Sequence, residues 1–249
     1  MVSDFRLDKF EATVGRFRKF VEAGMGISAN PPTDGSGQHA RIPGSGWSAT
    51  WNTNLKADKA ALTAALKCDP MYGTWTDAGG ANENLPINCV TWYEAMAFCI
   101  WDGGYLPTEA EWNYAAAGGD QQRAFPWSNP AGQLTLESAH AAYSDGSNCG
   151  GSAAPCPGLV EVGTKPLGDG RFGQTDLAGN VFEPLLDVYA APYTNPCMDC
   201  STVKVTPDYH GIRGGSARDL AMHLRTAHRD LEGPLNRNWD LGVRCARAP

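Results

Sequence analysis

One capping device occurs twice in the middle of this chain and fixes what that region can become. Thr91 is followed three residues on by Glu94, and Thr108 by Glu111. A threonine hydroxyl that accepts from the third helical N–H, answered by a carboxylate reaching back, starts a helix. Gly103-Gly104 stops the first of these helices and Gly118-Gly119 the second, because glycine takes the left-handed cap without strain. Trp92, Ala95 and Cys99 line one face of the first helix, and Trp112, Ala115 and Ala116 pack the second. Pro107 stiffens the approach to the second, since its ring drives the preceding residue away from helix. A further helix is predicted from about Thr13 to Ala23. Thr13 is its N-cap, Val14, Phe17 and Val21 fall at helical spacing, and Gly24 stands at its end. Helices started and stopped so tightly do not make a long bundle.

The rest reads as short strands and long loops. The best strand segments are Phe5 to Phe10, Gly211 to Ser216 and Leu241 to Ala246, and one more helical piece lies near Lys56 to Leu66. The stretches Asn30 to Asn84 and Ser144 to Pro157 are dense in Gly, Ser, Pro and Asn; loops of such length are usually functional, metal-held or cross-linked. With 29 Gly, 17 Pro and 8 Trp in 249 residues, the chain calls for loops pinned by large aromatic anchors. No repeat or compositional shift marks a linker, so residues 1–249 are expected to form a single domain.

Charge and cysteine content narrow the function. The formal net charge is −7, which argues against nucleic acid, whose partners need clustered Lys and Arg. No run approaches the roughly 18 apolar residues of a membrane span, so no transmembrane segment is expected. Met1 is followed directly by Val2, Ser3 and Asp4 rather than by a secretory signal, which leaves room for a segment cut from a longer precursor. The 8 cysteines are scattered, which fits disulfides and an oxidising, extracytoplasmic location. Zinc is the alternative reading for Cys197-x-x-Cys200.

The run Leu106-Pro-Thr-Glu-Ala-Glu-Trp-Asn-Tyr-Ala115 resembles a signature of the formylglycine-generating enzyme, or sulfatase-modifying factor, family. The block Pro86-Ile-Asn-Cys-Val-Thr-Trp-Tyr-Glu-Ala-Met-Ala-Phe-Cys-Ile-Trp101 is similar to the one that precedes it in the family. Asp176-Leu-Ala-Gly-Asn-Val-Phe-Glu183, Arg213-Gly-Gly-Ser216 and Leu241-Gly-Val-Arg-Cys245 resemble three later blocks, in order, and Phe5 to Val14 fits the usual opening. The resemblance implies an α+β fold, a variant of the C-type lectin fold with few helices, a small twisted antiparallel sheet and long ordered loops. It also implies a disulfide between Cys99 and Cys245. The local pairs Cys149–Cys156 and Cys197–Cys200 then leave Cys68 with Cys89.

Family members that make formylglycine hold copper on two cysteines after the G-G-S motif, and soft thiolates are the ligands that select Cu(I). Those positions carry Asp219 and Leu224 here, and no cysteine lies between Cys200 and Cys245. Copper is therefore not expected, nor is copper-dependent formylglycine generation. Met222, His223 and His228 form a copper-compatible set, read alternatively as ordinary pocket or core side chains. Ser216, His223 and Asp219 can be assembled into a triad only on paper. Iron-dependent relatives carry an H-x-x-x-H-x-E motif, which this sequence does not contain.

By resemblance, Phe182, Ser216, Asp219, His223 and Asp240 line the family's substrate cleft. The arginines and acids of the last quarter read either as internal salt bridges, with Arg213 and Arg244 buried and paired, or as a polar binding surface. Calcium is the expected cofactor, structural, held by Asp176, the carbonyls of Leu177, Gly179 and Val181, and Glu183; the alternative is a plain turn. A second family calcium site, near Ala141 to Gly146, has Ala142 where the family tends to have Asn. These features together point to an extracytoplasmic binding or structural domain with an unidentified peptide, glycan or protein ligand, possible as a module of a larger surface assembly. The alternative is an oxidoreductase-type enzyme of the same superfamily that works through non-cysteine residues.

Overall fold

Helix α1 (Val14–Glu22) is capped by the Thr13 hydroxyl, which accepts from the Arg16 N–H, and α2 (Lys59–Ala65) by the Asp58 carboxylate. The computed structural model describes residues 1–146, 158–190, 198–203 and 208–249. Helices α3 (Trp92–Trp101) and α4 (Glu109–Ala116) each begin with a complete capping box, Thr91 with Glu94 and Thr108 with Glu111. Helix α3 buries every residue from Trp92 to Cys99, as a helix apolar on nearly all sides must.

The aromatic anchors sit around that helix. Phe17, Phe20 and Phe98 pack with ring centroids 5.1 to 5.7 Å apart. Trp51 meets Trp47 and Trp92 edge-on at 5.5 and 5.3 Å, the geometry the ring quadrupoles favour. The α4 box is buried as well, and its carboxylate is fully used. Glu111 accepts from the Thr108 N–H at 2.9 Å and the Tyr105 hydroxyl at 3.0 Å, and lies 3.2 Å from His39 Nε2.

Two small antiparallel sheets complete the fold. Strand β1 (Arg6–Leu7) pairs with β5 (Ala246–Arg247), so the two ends of the chain meet. Strands β2 (Glu183–Val188), β3 (His210–Arg213) and β4 (Asp230–Glu232) form the other sheet in that order, with an irregularity in register between Pro184 and Val188. The strand segments read from sequence are thus longer than the strands that form. Of Leu241 to Ala246 only the last residue is in a strand, while Leu241 makes an isolated bridge to Phe182. Strand β2 escapes sequence reading altogether. All six of its residues are buried, so it has no in–out alternation, and it contains Pro184 and two acids.

Disulfides join Cys99 to Cys245 and Cys68 to Cys89. The first ties α3 to the chain just before β5. Cys200 is also disulfide-bonded, which corrects the zinc alternative for its sulfur. Cys149, Cys156 and Cys197 lie outside the described residues. No helix among the described residues is long and apolar enough to cross a membrane.

Candidate functional site

The chain leaves β3 through Gly214 and Gly215, both at positive φ. A side chain on Gly215 would stand 3.0 Å from the His223 carbonyl, so this glycine lets the 216–224 loop close on the short helical turn Ala221–Leu224. Ser216 is fully buried, and its hydroxyl donates to Asp219 Oδ2 at 2.5 Å. Asp219 Oδ1 lies 3.1 Å from His223 Nδ1, while the Asp219 carbonyl accepts from the Ser144 N–H at 2.9 Å. The His223 ring stacks on His228 at 4.7 Å. His228 Nε2 is buried without a hydrogen-bond partner among the described residues. Burial first, and the neighbouring His223 second, lower the His228 pKa, so its neutral form is favoured.

The order of these groups decides their chemistry. In a nucleophilic triad the imidazole stands between hydroxyl and carboxylate, so that it can take the hydroxyl proton. Here the carboxylate is in the middle. The Ser216 hydroxyl is bonded to Asp219, and no imidazole among the described residues is bonded to it, so the three residues form a braced carboxylate rather than a His-activated serine. Leu224 is buried with Phe125, Ala141 and Ala178. Asp240 is buried and paired with Arg218 at 2.7 Å. Burial raises its pKa, with Asp219 and Glu232 adding to the rise and Arg218 opposing it. Phe182 packs with Ile212 and Leu241 and donates its N–H to the Asp240 carbonyl. The structure thus links Ser216, Asp219 and His223 directly, and joins Asp240 to Phe182 through the backbone. Met222 is largely exposed.

The segment from Asp176 turns through left-handed conformations at Asp176, Gly179 and Asn180. Asp176 Oδ2 accepts from the Gly163 N–H and the Thr175 hydroxyl at 2.6 and 2.8 Å. Glu183 is committed elsewhere. Its oxygens accept from Arg244 Nε at 2.8 and 2.9 Å and from Trp112 Nε1 at 2.6 Å, and both ends of the pair are fully buried. Arg244 thereby occupies the place a cation would take on Glu183. The carbonyls of Leu177, Gly179 and Val181 accept no hydrogen bond from any described residue. Among the described residues, no three His, Cys, Asp or Glu side chains are gathered to hold a metal ion. A hard cation here would therefore rest on Asp176 and backbone carbonyls rather than on Glu183. At the second expected site, the Ala142 carbonyl accepts from the Asn180 N–H at 2.9 Å.

One residue of this region is not among the sequence candidates. Glu11 is fully buried and receives Asn180 Nδ2 at 2.6 Å and the Val181 N–H at 3.2 Å. Burial raises its pKa well above the ordinary carboxylate value, and Asp176 and Glu183 push in the same direction. The available signal was an acid set between Phe10 and Ala12, just before a helix cap.

This is the architecture of a formylglycine-generating-enzyme-like domain, with a braced carboxylate at Asp219 and a packed leucine at Leu224. The chain belongs to the sulfatase-modifying factor enzyme 1-like family, which it matches over residues 1–249. It is 28% identical to hercynine oxygenase of Mycolicibacterium smegmatis over 98% of this chain and 53% of that protein. It is 25% identical to the formylglycine-generating enzyme of Thermomonospora curvata over 100% of this chain and 83% of that one. The chain thus spans about half the length of the hercynine oxygenases it matches. Among solved structures, PvdO from Pseudomonas aeruginosa superposes with a TM-score of 0.60 at 18% identity, covering 98% of this chain and 80% of the other.

Proposed function

We propose that this chain is a binding or structural domain of an extracytoplasmic protein, built on the formylglycine-generating-enzyme scaffold without its thiol-dependent copper chemistry. The observation that carries this reading is the pair Asp219 and Leu224. Asp219 is held by Ser216 and His223, and Leu224 is packed in an apolar cluster. A hard carboxylate and an alkyl group do not make a Cu(I) site. The disulfides support an oxidising location. The polar surface formed by Arg218, Asp219 and His223, backed by the buried Ser216 and Asp240, is where a peptide, glycan or protein ligand would be received.

The test is a Cu(I) titration paired with mass spectrometry of a cysteine-containing peptide incubated with the protein. The native chain should neither take up copper stoichiometrically nor convert the peptide's cysteine. Asp219→Cys with Leu224→Cys should gain copper. Turnover of the peptide by the native chain would overturn the proposal.

Calcium is part of the same reading, supported by the Asp176 carboxylate and the unengaged carbonyls of Leu177, Gly179 and Val181. Added calcium should raise the melting temperature and chelation should reverse it, with Asp176→Ala removing the response. A melting temperature indifferent to calcium would remove the ion from the account.

A second reading is favoured by the likeness to hercynine oxygenase: an oxidoreductase-type enzyme acting through non-cysteine residues. The stacked His223 and His228 would be its natural metal contacts. Stoichiometric iron or copper that is lost on substituting both histidines would favour it over a binding domain.

A further inference from the structure

A cleft of about 940 Å³ opens beside α4, between β2 and the segment Arg225–Arg229, away from Ser216 and Asp219. Five arginines line it, namely Arg41, Arg123, Arg213, Arg225 and Arg229, against three acids. That balance runs opposite to the formal net charge of −7 of the whole chain.

Two of the arginines have an evident structural task. Arg213 Nε and Arg229 Nε both bond Glu109 Oε1, at 2.9 and 2.5 Å, and Arg229 Nη2 takes Oε2 at 2.7 Å. One carboxylate thus faces two guanidinium groups. Asp187 is buried and faces the backbone. Its oxygens are taken by the backbone N–H groups of Glu109 and Thr202, at 2.7 and 2.9 Å. Asp199 is bonded to Ser3 and stands 3.7 Å from Arg41.

Arg225 and Arg123 have no such account. Arg225 is exposed, and no described residue accepts a hydrogen bond from its guanidinium. Arg123 uses Nε on Gln121 and Nη1 on the Pro126 carbonyl, which leaves Nη2 without a described acceptor. Between the charges the walls are small and apolar, including Ile42, Ala124 and Val188. The volume lies in the range of small-molecule sites, which combine apolar walls with a few fixed polar groups.

We propose that this cleft binds a small organic anion, its oxyanion taken by Arg225 and Arg123 and its apolar body packed on Ile42, Ala124 and Val188. The site is separate from the polar surface at Asp219, so the two proposals stand or fall independently. Planar guanidinium groups with paired donors match carboxylate and phosphate oxygens alike. Phenyl phosphate is a suitable probe because it joins both parts of the expected ligand.

Calorimetric titration of the full chain should give tighter binding for phenyl phosphate than for inorganic phosphate or phenol. Arg225→Ala and Arg123→Ala should each weaken it by roughly tenfold, as loss of a charged hydrogen bond does. Lys56→Ala, which removes a distant positive charge, should leave it unchanged, and circular dichroism should show all three variants folded. Added salt should weaken binding, as screening requires. Affinity that is unaltered in the folded Arg225→Ala and Arg123→Ala proteins would overturn the proposal. So would binding of hexaglutamate with none of phenyl phosphate, which would make the cleft a surface for an acidic polypeptide.

Discussion

Glu183 and Arg244 form an ion pair that both solvent and the rest of the domain treat as core. Neither side chain is exposed, and the guanidinium is 2.7 Å from the carboxylate at its nearest atoms. Arg244 also donates to the carbonyls of Asp8, Lys9 and Thr175, so one side chain ties the first residues to the Asp176 turn. Arg244→Met should lower stability by about 3–5 kcal/mol, because it strands a buried charge beside Glu11 and Asp176. The double change Glu183→Leu with Arg244→Met should recover part of this but not all, since the carbonyls of Asp8 and Thr175 and Trp112 Nε1 still lose their partner. Urea denaturation of the variants measures both.

The Cys99–Cys245 bridge closes a loop of 146 residues in sequence separation. In the chain-entropy account a loop of that size contributes about 4–5 kcal/mol by restricting the unfolded chain. Cys99→Ala with Cys245→Ala should shift the denaturation midpoint by a corresponding amount. The Cys68–Cys89 pair spans only 21 residues, and its removal should have the smaller effect.

Acid stability should show two opposed slopes from neighbouring residues of the sheet. Burial holds His210 down to a pKa of about 4, so between 6.5 and 4 the unfolded chain binds a proton that the folded one refuses. Stability therefore falls as pH drops through that window, by about 3 kcal/mol. Burial, with the Glu109 carboxylate adding to it, raises Asp187 to about 6. The folded protein keeps that proton where the unfolded chain releases it, so stability from this group falls as pH rises from 3.8 to 6, by a similar amount. The two should nearly cancel in the native protein. Asp187→Asn should expose the His210 slope as a steeper loss of stability between pH 6.5 and 4; equal slopes in native and variant would count against this assignment.

Gly179 is at φ +84°, and a Cβ there would lie 2.2 Å from the Ala142 carbonyl oxygen. Gly179→Ala combines left-handed strain with a backbone collision and should destabilise by at least about 2 kcal/mol. Gly24, at φ +74° in open space, provides the control. Alanine there should cost only the conformational strain, about 1 kcal/mol, and thermal melts of the two variants should separate accordingly.

The sequence by itself determined the features that depend on near neighbours or on residue chemistry. The capping boxes at Thr91 and Thr108 are legible because a cap and its answering acid stand three residues apart. The absence of thiolates at Asp219 and Leu224 needs no coordinates, since no folding converts a carboxylate or an alkyl group into sulfur. The tertiary structure decided what distant residues do to one another. Strand β2 was invisible because burial on both faces removes the alternation by which strands are read. Glu183 looked like a cation ligand until Arg244, distant in sequence, took both its oxygens, and Glu11 acquired its role only when Asn180 and Val181 closed over it. Residue type also left open whether Ser216, Asp219 and His223 formed a triad. Catalysis depends on which group stands between the other two, and that order is set by the turn after Gly215 rather than by composition.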